Sequence, residues 1–358
     1  MYEPKYIISP KLLNVIGKIE AAKEVIENAP LVPQWERQFM NDAEARTVHF
    51  STHIEGNALE FSEVKKVLTG RGEEVVARER DLQEILNYRE VVKYIEKMST
   101  PTQPIVPIIP MVPTNPTITE STIRELHRLI TNRILSPEKQ GKYRTQIASI
   151  RNSITGEVSF VAPEAPQINI LMTDLTTWLT TEAKDVHPVL KAGMVHYELV
   201  RIHPFEDGNG RTARALATLS LYLDGYNIRR FFSLDEHYDQ DAAAYYSALQ
   251  AANKGELTTW LEYFSEGLAI ELNRVKERVL KLSHDSKLRK TVGQIALSER
   301  QERVIEQLQD VGYVQNKDFK NIFPGISEDT VLRELKDLVI KGLIFKKGST
   351  KGARYVLR

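Results

Sequence analysis

The sequence predicts a mostly α-helical protein, and three observations carry the prediction. Apolar residues recur at spacings of three and four along most of the 358 residues, as in Leu12, Ile16, Ile19 and Val25. Strand-like text is confined to a short stretch before Pro163 and to the C-terminal end. Glycine, proline and hydroxyl residues punctuate the helical runs where caps and stops belong.

Taken in order, Pro10 opens a first helix, which Pro30 and Pro33 break. A second runs from Pro33 to the stop signal Gly56-Asn57, a short capped one spans Ser62 to Gly70, and a long amphipathic one covers residues 79–98. Prolines then fall at 101, 104, 107, 110, 113 and 116, a period of three that matches polyproline II. With Ile and Val between the rings, this reads as a stiff connector packed on the protein, the other reading being a ligand for a proline-binding domain. Thr119 opens the next helix. After Gly141 the period switches, and residues 146–151 and 158–163 around the turn 154–157 predict a β-hairpin. Helices resume near Ile168 and continue to about Leu282. From about Ala296, three helices with short joins lead into a two-stranded ribbon, the order of a winged helix-turn-helix. Three regions result: 1–117, 118–285 and 290–358.

Composition narrows the function. Lys plus Arg and Asp plus Glu number 48 each, so net charge draws the chain toward neither nucleic acid nor membrane. Cysteine is absent, which excludes disulfides, thiol catalysis and cysteine-ligated zinc. No window approaches the ~18 apolar residues of a membrane span, so a cytoplasmic protein without a membrane partner is expected.

The string HPFEDGNGRTAR, residues 203–214, carries the chemistry. Gly208 and Gly210 put bare backbone at the N-terminus of a helix, where free N–H groups and the macrodipole favour an anion. Asn209 tolerates unusual backbone angles and adds an amide donor. Arg211 and Arg214, on the first helical turn, can fork onto phosphate oxygens. The cradle is neither a Walker loop nor a dinucleotide fingerprint. Asp207 is a hard oxygen ligand suited to Mg2+. His203 can take a proton from a hydroxyl nucleophile near neutral pH.

This string resembles the signature of the Fic family at every specified position, and the likeness extends over roughly residues 118–270. The resemblance implies a helical Fic core whose usual chemistry transfers AMP from ATP to a protein hydroxyl. It implies His203 as general base, Asp207 as Mg2+ ligand, Gly208, Asn209 and Gly210 as the hole for the α- and β-phosphates, and Arg211 and Arg214 on the β- and γ-phosphates. Residues about 143–163 resemble the family's flap, whose edge would align a target protein by strand addition. Tyr246, Leu249 and Asn253, on one helical face, resemble the nucleoside pocket. Ser51, Glu55 and Gly56 fit the family's inhibitory pattern (S/T)xxxE(G/N); the expectation is that Glu55, within a helix, reaches Arg214 and takes the place of the ATP γ-phosphate.

The sequence reading is therefore a helical regulatory region, a Fic core with a β-hairpin flap and a winged-helix tail, acting as an autoinhibited protein adenylyltransferase on Ser, Thr or Tyr. Transfer of another group or removal of AMP at the same site is one rival, and a nucleotide-sensing DNA-binding regulator is the other. The tail holds Lys341, Lys346, Lys347, Lys351, Arg354 and Arg358, but its candidate recognition helix mixes Glu328, Asp329, Glu334 and Asp337 with Arg333 and Lys336. DNA, a protein partner, self-modification and a homodimer all stay open.

Overall fold

A computed structural model describes the chain apart from Met1, Val32, residues 101–116, 152–157, 293–296, 316–317, Pro324, residues 349–352 and Arg358. The proline run and the hairpin turn lie outside the described residues. The protein is mostly helical. Its helices, in order, are α1 (Pro10–Asn28), α2 (Pro33–His53), α3 (Phe61–Leu68), α4 (Glu79–Ser99) and α5 (Glu120–Ile130). The antiparallel strands β1 (Ser149–Arg151) and β2 (Val158–Val161) follow. Next come α6 (Ile168–Thr181), α7 (Pro188–Ile202), α8 (Asn209–Leu223), α9 (Asp235–Gln240), α10 (Ala242–Ala252) and α11 (Thr258–Val292). The chain ends with α12 (Glu299–Val311), α13 (Phe319–Ile322), α14 (Glu328–Ile340), β3 (Ile344–Lys347) and β4 (Arg354–Leu357).

Local chemistry explains the helix starts. Ser9 caps α1 by accepting from the Leu12 N–H at 3.1 Å, with Pro10 at the first helical position. The buried stripe of α1 is Leu12, Val15, Ile19, Ala22 and Ile26; Ile16 and Val25 from the sequence pattern sit half-buried at its edge. Helix α3 begins at Phe61, one residue before the expected Ser62, because Glu63 reaches back to the Glu60 N–H at 2.9 Å. Thr119 caps α5 as expected, its hydroxyl accepting from the Thr122 N–H.

Two compact units result: Met1–Pro30 with Trp35–Leu280, and Leu31–Gln34 with Lys281–Arg358. The first unit thus holds the N-terminal helices together with the central ones. Its centre is the pair α7 and α8, which pack along each other and are buried on nearly every face. Gly193 lets α11 approach α7: a Cβ there would lie 2.9 Å from a Leu261 methyl, and the Trp260 indole donates to the Gly193 carbonyl at 2.7 Å. Helices α4 and α5 cover α8 from the N-terminal side of the sequence. Helix α2 is fastened by Arg46, whose Nη1 meets Glu236 at 2.8 Å and Glu271 at 2.6 Å.

The second unit has its own core of Val304, Leu308, Val314, Phe319, Phe323, Val331, Leu335, Leu338, Ile344 and Tyr355. Val314 pairs with Tyr355 at the foot of the β3–β4 ribbon. Two of the four acids of α14 meet α12: the Gln301 amide donates to Glu334 and to Asp337, each at 2.7 Å. No helix among the described residues is long and apolar enough to cross a membrane.

Candidate active site

The loop between α7 and α8 is the string 203–208. Helix α7 stops because His203 adopts the left-handed region at φ 49°, its N–H still bonded to the Leu199 carbonyl. The Asn209 side chain folds back over the loop: Oδ1 accepts from the Phe205 N–H and Nδ2 donates to the Phe205 carbonyl, both at 2.9 Å. Asn209 is 2% exposed, so its side chain braces the loop and is not offered to an anion as the sequence reading had it. The unusual backbone angle falls instead on Gly208, at φ 81°, where a Cβ would lie 3.2 Å from the Thr131 methyl and 3.4 Å from Ile130. Glycine is needed there both for the angle and for the approach of α5.

His203 is half-buried, and its Nδ1 lies 3.3 Å from the Val200 carbonyl. Only a protonated Nδ1 can use that acceptor, which leaves the Nε2 lone pair free. Burial lowers the imidazole pKa, opposed by the Val200 carbonyl and assisted by Arg144, so the ring is neutral at pH 7. A neutral imidazole with Nε2 available is a proton acceptor.

Arg144 holds both ends of this region. Its guanidinium donates to the carbonyls of His203 (2.7 Å), Gln146 (2.6 Å) and Pro163 (2.6 Å), while its N–H donates to the Pro204 carbonyl. It therefore ties the two stems of the β1–β2 hairpin to the His203 loop. From the other side His127 stacks on Phe205, with centroids 3.8 Å apart. The Gly141 N–H donates to Nδ1 of His127 at 2.9 Å, so Nε2 carries the hydrogen and donates to the Asp207 carbonyl at 2.9 Å. Burial holds the His127 pKa down to about 4.

The N-terminus of α8 receives a carboxylate from within the chain. Glu55 lies beyond the end of α2, in the turn that Gly56 completes at φ 91°, and not inside the helix as expected. Its Oε1 is 2.9 Å from Nη2 of Arg214, and a Cβ placed on Gly210 would collide with the same oxygen. Arg214 is 3% exposed and also donates to the Ser51 carbonyl (2.8 Å) and hydroxyl (3.1 Å). Buried Asp235 stands 3.2 Å from its Nε. Burial opposes the guanidinium charge, but Glu55 and Asp235 together keep it firmly protonated.

Arg211 belongs to a different set of partners. Its Nη1 lies 3.1 Å from Glu84 of α4 and its Nη2 3.4 Å from Asp207. Asp207 in turn meets Arg80 of α4 at 3.0 Å. Among the described residues no group of three or more His, Asp or Glu is placed to hold a metal. Asp207, with a 38% exposed side chain, is a single carboxylate, which suits a cation that arrives with phosphate oxygens and water as its other ligands.

Nine expected residues thus gather at the start of α8: Ser51, Glu55, His203, Asp207, Gly208, Asn209, Gly210, Arg211 and Arg214, with Gly56 closing the turn behind Glu55. The trio Tyr246, Leu249 and Asn253, on α10 and at its C-cap, is more spread in character. Tyr246 is 43% exposed, with a phenol pKa raised first by partial burial and then by Glu55. Leu249 is buried in the core, and exposed Asn253 accepts from the Tyr197 hydroxyl at 3.0 Å. Sequence reasoning missed Arg80, Glu84, His127 and Asp235. Each meets the site across a long sequence separation, and none carries a local signal.

Residues 117–221 match the Fic/DOC family. The chain is similar to the protein adenylyltransferase Fic of Aedes aegypti, at 28% identity over 68% of this chain and 44% of that one. It is also similar to that of Nematostella vectensis, at 26% identity over 70% of this chain and 52% of that one. The matches thus span about half the length of these relatives. In fold it is similar to a Fic family protein of Desulfovibrio desulfuricans G20, with a TM-score of 0.68 at 22% identity over 100% of this chain and 98% of that one. It is likewise similar to residues 134–508 of Fic-1 from C. elegans, with a TM-score of 0.58 at 22% identity over 76% and 74% of the two chains. With the signature at 203–214 built on α7 and α8, the chain carries a Fic/DOC-family domain over residues 117–221.

Proposed function

We propose that the protein transfers AMP from ATP to a Ser, Thr or Tyr hydroxyl of a target protein, and that Glu55 restrains the reaction. The observation that carries this reading is the carboxylate seated at Gly210 and Arg214, an internal anion lodged where the helix N-terminus and a buried guanidinium would meet a phosphate. The names of the curated relatives support the same chemistry.

Nε2 of His203 takes the proton of the target hydroxyl, whose oxygen bonds to the α-phosphorus. The bond from that phosphorus to the bridging oxygen of the β-phosphate breaks in line, and pyrophosphate leaves. The N–H groups at the start of α8, with Arg211 and Arg214, hold the phosphates and stabilise the charge that develops on them. Mg2+ accompanying the nucleotide would be held by Asp207 and would neutralise phosphate charge. The hairpin within residues about 143–163, tied to His203 through Arg144, is the surface on which the target strand would be aligned.

The test is incubation of the Glu55→Gly protein with labelled ATP in a cell lysate, followed by mass spectrometry of the labelled bands. Mass gains of one AMP on hydroxyl side chains support the reading; absence of any nucleotide-derived mass overturns it. The position of Glu55 beside the phosphate cradle also suits the reverse step, in which water replaces the target hydroxyl. Loss of AMP from a premodified target, dependent on Glu55, would favour that direction.

A further inference from the structure

Four charged side chains of alternating sign close a ring between α4 and the Asp207 loop. Oδ2 of Asp207 meets Nη2 of Arg80 at 3.0 Å, and Nε of Arg80 meets Oε1 of Glu84 at 3.1 Å. The same Glu84 oxygen meets Nη1 of Arg211 at 3.1 Å, and Nη2 of Arg211 returns to Oδ1 of Asp207 at 3.4 Å. The inner pair is buried, with Arg211 and Glu84 at 2% and 5% side-chain exposure. The outer pair is open to water, with Arg80 at 58% and Asp207 at 38%.

The two oxygens of Asp207 are not equivalent. Oδ1 already accepts from the Gly208 N–H at 2.6 Å and faces Arg211. Oδ2 faces Arg80. A cation bound by Asp207 needs that second oxygen, and a guanidinium on it both blocks the lone pairs and repels the incoming charge. Resting on the reading that Asp207 meets the nucleotide's divalent cation, we infer that Arg80 is a resident counter-ion that competes with that cation for Oδ2. This makes α4 a second restraint on the site, distinct from the contact of Glu55 with Arg214.

The arrangement is suited to exchange. Arg80 can leave Asp207 while its Nε stays on Glu84, so one exposed ion pair opens and the buried one is untouched. Glu84 is fixed independently, its other oxygen accepting from the Asn57 amide at 2.9 Å. Asn57 lies two residues beyond Glu55, yet its bonds run to Glu84 and to the Asp81 carbonyl, so removing the Glu55 carboxylate leaves the α4 ring closed.

The experiment titrates Mn2+ into the Glu55→Gly protein with a fluorescent methylanthraniloyl ATP, and repeats it with Arg80→Gln and Arg80→Lys added. Free Mn2+ is followed in parallel by its paramagnetic resonance signal in the presence of the same nucleotide. Arg80→Gln should lower the half-saturating Mn2+ in both assays by about two- to fivefold, the range for one exposed ion pair, with Arg80→Lys in between. An unchanged midpoint overturns the inference, and a raised one overturns it by making Arg80 a phosphate ligand. If the Glu55→Gly protein binds no nucleotide, or binds it without any cation dependence, the AMP-transfer reading itself falls and takes the inference with it.

Discussion

Oε1 of Glu55 lies 2.9 Å from Nη2 of Arg214, across 159 positions of sequence, with Gly210 directly beneath the carboxylate. A carboxylate of the chain itself thus lies at the start of α8, where nucleotide phosphate is proposed to bind. Glu55→Gly is expected to raise AMP transfer by roughly 10- to 100-fold, because displaced phosphates leave the α-phosphorus out of line with the incoming oxygen. Arg214→Ala should cancel the gain. The measurement is AMP incorporation over time, self-modification included; equal rates for the wild type and Glu55→Gly would return Glu55 to the role of a surface charge.

His203→Ala should lower transfer by about 10²–10⁴ while nucleotide binding changes little, since the imidazole acts on the nucleophile. Its pKa is lowered from 6.5 by burial, so the base form predominates at pH 7. Transfer by Glu55→Gly should climb with pH, with a midpoint below 6.5, and stay flat above neutrality. A climb centred above pH 7 would assign the base role to another group.

Arg214 is a buried cation with two carboxylate partners, Glu55 and Asp235. Glu55→Gln and Asp235→Asn each leave it one, so each alone should cost about 1–2 kcal/mol or less. Together they strand the charge, and the loss should exceed the sum of the singles by a few kcal/mol, within the ~3–5 kcal/mol of a broken buried pair. Urea unfolding of the four proteins checks this. Strict additivity would show that Asp235 does not support Arg214 once Glu55 leaves.

His127 makes stability pH-dependent in a fixed direction. Its folded pKa of about 4 is below the 6.5 of the unfolded imidazole, so its contribution is complete above pH 6.5 and is lost as pH falls toward 4. At pH 5 the loss from this one ring is about 2 kcal/mol. Glutamine can mimic both of its hydrogen bonds without titrating. The stability difference between pH 7 and pH 5 should therefore be smaller in His127→Gln than in the wild type, as read by denaturant unfolding at both values; identical differences would remove His127 from the account.

Much of this protein was legible in its sequence. Helix periods, the Thr119 and Pro10 starts, the hairpin between Gly141 and Pro163 and the helix-rich tail all rest on chemistry within a few residues. The loop and helix start within 203–214 were legible for the same reason, since a loop and the helix that follows it are neighbours along the chain. The Glu55–Arg214 contact was anticipated through family resemblance and not through spacing. Where local rules misjudged, the deciding partner was distant or the backbone took another path: Asn209 turned inward to brace Phe205, and α2 ended before Glu55.

Tertiary structure alone decided which acid meets which cation. Arg211 and Arg214 lie on one helical turn, and nothing in their neighbourhood says that the first pairs with Glu84 and the second with Glu55 and Asp235. Arg80 meets Asp207 across 127 positions, and His127 meets its carbonyl across 80. The physical reason is that hydrogen bonds and ion pairs act over a few ångströms of space, while the order of residues encodes only short stretches of chain. Packing of α4 and α5 against α8 converts one into the other.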